Sequence, residues 1–162
     1  MKPAPGLTIE QQPEPALMAM LLCGEARGEG REGMEGVANV IYNRLAAPKR
    51  FGDTLKSVIL RPWQFSCLNP NDPNRSKLLE LWHNEPVAYA LAEKVAAEAA
   101  AGYTPDRVGP STHYCVSALW GHDDSARVAG GHHPAWYSKQ CIEGGITQET
   151  ARIGHHVFGV TA

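Results

Sequence analysis

The chain has 162 residues, enough for one domain that buries about two-thirds of its unfolded surface without disulfide or metal staples. Fifteen basic residues against seventeen acidic ones leave a net charge of −2, with no run of Lys or Arg and no basic patch interleaved with aromatics, which argues against a nucleic-acid partner. No apolar stretch approaches the length of a membrane span, and the four cysteines, Cys23, Cys67, Cys115 and Cys141, contain no CxxC pair, which argues against membrane insertion, a zinc knuckle and a redox motif.

Residues 1–13, with Pro3, Pro5 and Pro13 and few apolar groups, read as a flexible N-terminal arm ahead of one folded domain, 14–162. A first helix is expected from residue 14 or 15 to residue 27 or 28. Its apolar run 16–23 does not read as a secretory signal: the segment before it has one lysine against two glutamates and four prolines, and Leu22 precedes the cysteine where a small residue would be needed. Gly28, Gly30 and Gly33 interrupt the pattern, and a second helix follows to about Leu45, with Met34, Val37, Ile41 and Leu45 as its core stripe. Asp53 is expected to cap a short helix with Leu55, Val58 and Ile59 inward, stopped at Arg61 by Pro62.

From residue 63 to 75 the periodicity disappears, and Pro70 and Pro73 among Asn69, Asn71 and Asn74 predict a long loop, the kind of segment that carries sites. Helices are expected over 76–84 and 86–101, the second with Ala88, Leu91, Ala92, Val95 and Ala99 on one face and Gly102 as its stop. Beyond it, 112–117 and 153–160 carry β-type residues between Gly-rich connections. The fold class is therefore α+β: mostly helical, with a small antiparallel sheet in the C-terminal third.

The motif GEARGE, residues 24–29, holds the most chemistry. Counting back from Glu25 gives Leu21, Met20 and Leu17 at i−4, i−5 and i−8, so its carboxylate shares the apolar face of the first helix. A carboxyl held against apolar surface resists ionisation and can give its proton to a departing oxygen, as the glutamic acid of a glycosidase does. On spacing alone the competing reading is a solvated charge cluster of Glu25, Arg27 and Glu29 at a helix end.

Three ordered blocks decide between these. GEARGEGREGMEGVANVIYNRL (24–45), WQFSCLNPNDPNR (63–75) and THYCVSAL followed by HPAW and IGHHVFG resemble the SleB/CwlJ family of bacterial cell-wall hydrolases and span most of residues 17–159. The resemblance implies a compact domain of lysozyme or lytic-transglycosylase type that cuts peptidoglycan glycan strands at muramic acid, with Glu25 as the catalytic acid. The chain departs from the family pattern in its Gly- and His-rich end and in 106–110, the lead into His113. A wall enzyme with no visible leader looks like a phage endolysin, made in the cytoplasm and released to the wall by a separate membrane-permeabilising protein. A monomer with no cofactor and no metal is expected, its partner being the peptidoglycan glycan strand.

Two chemistries remain open for such a glutamate. A muramidase needs a second carboxylate across the scissile bond, and Glu29, Glu32 and Glu35 are the nearby candidates, although Glu29 fits better as a structural group pairing with Arg27 or Arg31. A lytic transglycosylase needs one glutamate only, because the sugar's own C6 hydroxyl replaces water, and this is the preferred chemistry. Gln64, Phe65 and Ser66 supply an amide, an aromatic face and a hydroxyl suited to a glycan groove. Tyr114 is placed second to Glu25, as a hydroxyl that orients the carboxylate, with its strand neighbour His113 also in the groove. Trp136 is either a sugar platform or a core aromatic. The other readings are a zinc amidase built from His113, His122, His132, His133, His155 and His156 with Asp123, Asp124 and Cys115, which lacks a fixed ligand spacing, and a non-catalytic wall-binding module.

Overall fold

The computed structural model describes residues 1–116 and 147–161. Among them the α-helices are α1 (Glu14–Ala26), α2 (Gly30–Leu45), α3 (Pro48–Phe51), α4 (Leu55–Leu60), α5 (Leu81–Asn84) and α6 (Pro86–Ala100), and the strands are β1 (His113–Val116), β2 (Thr147–Ile153) and β3 (His156–Thr161). The mostly helical α+β class with a small antiparallel sheet is what the chain adopts.

α1 is the axis of the fold. Every residue from Ala16 to Cys23 is buried, so this helix is apolar all round rather than along one stripe, as befits an element packed on several sides by α2, α4 and α6. The apolar run is thus the central core helix of the domain. Met34, Val37 and Ile41 of α2 and Ala92, Val95 and Ala99 of α6 close around it, with Leu45, Ala88 and Leu91 partly buried at the edge of the same core.

Three boundaries differ from the sequence expectation. The cap of α4 is Thr54, not Asp53: its hydroxyl accepts from Ser57 N at 3.1 Å, and Ser57 Oγ accepts from Thr54 N at 3.0 Å. Residues 75–84 split into a 3-10 turn, Arg75–Glu80, and the single α-turn of α5. The segment 153–160 is two strands, because Gly154 has φ +54° and reverses the chain between β2 and β3.

The N-terminal segment, expected as a flexible arm, lies docked on the domain. Ile9 enters the core, and the fully buried Gln12 amide donates to the carbonyls of Ala4 and Leu7 at 3.0 and 3.1 Å, satisfying backbone groups that an arm would leave to water.

The sheet runs in the order β1-β3-β2, all antiparallel, with Tyr114 opposite Phe158. It approaches α2 closely at Gly36, where a Cβ would stand 2.9 Å from Phe158 Cζ and 3.0 Å from Ile153 Cδ1. A hydrogen at Gly36 is what lets the sheet lie against α2 and brings Tyr114 to the end of α1.

Candidate active site

Glu25 lies in the last turn of α1, half-buried. From the described residues its carboxylate accepts three hydrogen bonds: Oε1 from Ser66 Oγ at 3.1 Å and from the backbone N–H of Cys67 at 2.9 Å, and Oε2 from Tyr114 OH at 2.8 Å. The carboxyl thus stands in a cradle of polar donors, which corrects the expectation of a group held simply against apolar surface. Two separate segments deliver the donors, the 3-10 turn Ser66–Leu68 and strand β1.

Tyr114 is fixed by rings on three sides, Phe65 at 6.5 Å, Phe158 at 5.5 Å and His156 at 5.3 Å between centroids. Burial, and then the Glu25 charge, push its phenol well above the ordinary tyrosine value, so it stays protonated as a donor. Burial raises the Cys67 thiol in the same way, with Glu25 adding to the effect.

Beneath these groups lies Arg44, a buried residue that the sequence reading did not single out. Its Nε donates to Thr112 O at 2.7 Å, and its guanidinium carbon stands 4.9 Å from the Phe65 ring centre and 5.5 Å from that of Phe51. Nη1 is buried, with no hydrogen-bond partner among the described residues. Burial pulls the guanidinium down to about 10, opposed by Tyr114 and Glu25, so it remains a cation at neutral pH. Beside it Asn43 Nδ2 donates to the carbonyls of Gly109 and Ser111 at 2.7 and 2.8 Å. Consecutive residues of α2 therefore pin the lead into β1.

Of the residues expected in the groove, Glu25, Ser66 and Tyr114 come together. Gln64 lies half-buried in the turn before them, its backbone N–H on Arg61 O at 3.3 Å, and its side chain is not among the Glu25 donors. Phe65 is 2 % exposed, with its ring against Arg44 and Tyr114, and so offers no face to a sugar. His113 is likewise displaced from the groove: strand alternation turns it away from Tyr114 and into the core, where its ring meets Phe51 edge-on at 6.0 Å and Nδ1 lies 2.9 Å from Thr112 Oγ1. Burial, aided by Arg44 and Arg50, lowers it to about 3. Trp136 lies outside the described residues.

The nearby acids are otherwise engaged. Glu29 Oε2 accepts from His155 N at 2.9 Å and its Oε1 lies 3.1 Å from His155 Nδ1, so its partner is the β2–β3 turn rather than Arg27 or Arg31. Burial pushes its carboxyl up, but these hydrogen bonds outweigh that and hold it below the usual glutamate value. Glu35, buried, bridges Arg31 Nε at 2.7 Å and Arg107 Nε at 2.8 Å, and the exposed Glu32 stands 3.4 Å from Arg107 Nη1. Among the described residues no group of three His, Cys, Asp or Glu side chains is placed to hold a metal ion. His122, Asp123, Asp124, His132 and His133 lie outside those residues. Cys23 and Cys67 are buried free thiols.

A cavity of about 850 Å³ lies elsewhere, between the start of α1 and the ends of α2 and α6, lined among others by Met18, Tyr42, Leu45 and Ala97. It contains none of the groups around Glu25, and volume alone does not mark the chemistry.

Residues 28–159 match the cell wall hydrolase family. A spore cortex-lytic enzyme of Oceanobacillus iheyensis is 44 % identical over 71 residues, 40 % of this chain and 25 % of that protein, so the match spans about a quarter of the relative's length. The fold is similar to the catalytic domain of the germination-specific lytic transglycosylase SleB from Bacillus anthracis, with a TM-score of 0.57 and 24 % identity, covering 97 % of this chain and 99 % of that one. The chain belongs to the cell wall hydrolase family.

Proposed function

We propose that this enzyme cuts peptidoglycan glycan strands at the muramic acid to glucosamine bond, with Glu25 as acid and then base. The observation that carries the reading is the single carboxyl with three donors. Two of them fix Oε1, while among the described residues Oε2 meets the Tyr114 hydroxyl alone, a group able to turn from donor to acceptor. Oε2 is therefore the oxygen from which a proton leaves.

In the first step Glu25 gives that proton to the glycosidic oxygen, the C1–O bond breaks with its electron pair going to the leaving sugar, and positive charge develops at C1. In the second, the Glu25 carboxylate takes the proton of the C6 hydroxyl of the muramic acid as that oxygen bonds to C1 and closes a 1,6-anhydro ring. No second carboxylate is needed, consistent with Glu29 being committed to the β2–β3 turn and Glu35 to two arginines. Ser66, Cys67 N–H and Tyr114 stabilise the carboxylate formed between the two steps.

The setting we propose is that of a phage endolysin, acting as a monomer on the wall after release from the cytoplasm. Among the described residues no helix is long and apolar enough to cross a membrane. Expression inside a bacterial host should leave the cells intact until a membrane-permeabilising agent is added, and lysis without one would contradict the setting. For the chemistry, Glu25→Gln should lower the rate of wall solubilisation by at least about a thousandfold, the scale of losing an acid and base together, with an unchanged melting temperature. Retained activity would overturn the assignment.

A further inference from the structure

Trp63 is the residue of the site region whose conformation nothing in the packing of the described residues explains. It is 68 % exposed, and it is the one described non-glycine residue with positive φ, +64°, a left-handed backbone that a bulky side chain adopts at a cost. Among the described residues no ring or cation contact holds it, whereas Trp82, the other exposed tryptophan among them, lies under the Lys2 ammonium. An exposed tryptophan in strained backbone gains nothing for the fold: the ring leaves apolar surface in water, and the backbone forfeits its preferred region.

Its place in the chain gives the strain a use. Three residues later Ser66 donates to Glu25, followed by the Cys67 N–H, so the Trp63 Cα lies within about 11 Å of the Ser66 Cα by chain length alone. A short oligosaccharide spans that distance. Phe65, the aromatic of the same segment, is buried and cannot meet a sugar. Sugar rings present flat C–H faces, and a rigid, exposed indole matches them with little rotamer entropy to lose.

We propose that Trp63 is a glycan-stacking subsite: its indole carries a sugar ring of the strand next to the bond cleaved at Glu25, and the left-handed backbone at residue 63 is what presents the indole to the groove. This rests on the reading of the substrate as a glycan strand.

The test separates the two. Binding of purified, stem-free glycan oligosaccharides is measured by calorimetry in the Glu25→Gln background, where affinity is read whether or not that variant still cuts. Adding Trp63→Ala or Trp63→Gly should weaken binding about tenfold, the effect of removing one aromatic anchor, and Trp63→Phe should recover most of it. Thermal unfolding supplies the second readout. Trp63→Gly accepts positive φ and should melt about 2–4 °C above Trp63→Ala, in which the strain persists, and neither should melt far below the parent. Unchanged affinity on removal of the indole would overturn the proposal. So would a large fall in melting temperature shared by Ala and Gly, which would make Trp63 a packing residue. Residual cleavage by Glu25→Gln would instead contradict the catalytic assignment and leave the affinity result standing.

Discussion

Arg44 Nε donates to Thr112 O at 2.7 Å, and the same guanidinium lies over the ring of Phe65. One buried cation thereby touches both segments that serve Glu25, since Thr112 precedes Tyr114 by two residues and Phe65 precedes Ser66 by one. It stands behind the site as a positive charge facing Tyr114 and Glu25, with Arg50 and Arg61 as the like charges around it.

Replacing Arg44 by Met should therefore separate activity from stability. The variant loses the Thr112 hydrogen bond, which as a bond from a charged group is worth about 1.5–3 kcal/mol, but also removes a buried charge with an N–H unpartnered among the described residues, and such replacements are often neutral or stabilising. The expected result is a small change in melting temperature with kcat reduced at least about tenfold. Equal losses of stability and activity would reduce Arg44 to a fold residue.

Tyr114→Phe should leave the ring cluster with Phe65, His156 and Phe158 in place while removing one donor from Oε2. A buried hydrogen bond to a charged group is worth about 1.5–3 kcal/mol, so kcat should fall by about tenfold to a hundredfold with KM little changed. Steady-state kinetics on soluble glycan strands measure this, and a rise in KM alone would contradict it.

Gly154 and Glu29 should couple. A Cβ at Gly154 would fall 1.6 Å from Glu29 Oε2, and φ +54° disfavours any side chain there. Gly154→Ala should cost at least about 2 kcal/mol, and Glu29→Ala in the same chain should recover the part due to the clash but not the part due to φ. Denaturant unfolding of the two single variants and the double variant gives the coupling.

Stability should fall on the acid side of neutrality. His113, lowered to about 3 in the folded state, stays neutral there, while the unfolded chain takes up its proton below about 6.5; the unfolded state then binds more protons, and stability drops as pH falls through that window. His156, also lowered by burial, acts in the same direction. The limiting slope is about 1.4 kcal/mol per pH unit for each such group. Glu29, depressed in the folded state, adds its own loss further down, below the ordinary glutamate value. Melting temperature against pH checks this, and His113→Asn should flatten the upper part of the profile.

The sequence was most legible where local patterns coincide with chemistry. GEARGE ends an apolar helix in both reading and structure, and the 3.6 period of α2 and α6 matches the buried faces. What escaped depends on distance or on main chain. The Cys67 N–H carries no side-chain identity, and the partner of Glu29 lies 126 residues away. The left-handed turn at Gly154 hid inside a run of β-type residues. Arg44 did leave a trace, since it stands three residues after Ile41 and four after Val40 and so falls on the apolar stripe of α2, where a charge needs a reason. His113 and Phe65 were misplaced for one cause: residue type shows that a ring has a use, while strand alternation and packing decide which way it points.

The most direct test of the account is mass spectrometry of the muropeptides released from purified peptidoglycan by the wild-type chain and by Glu25→Gln. The account predicts 1,6-anhydro-muramic ends from the wild type and none from the variant. Reducing muramic ends would contradict the single-glutamate mechanism and require a second carboxylate, and free stem peptides released equally by both proteins would contradict glycan cleavage at Glu25 altogether.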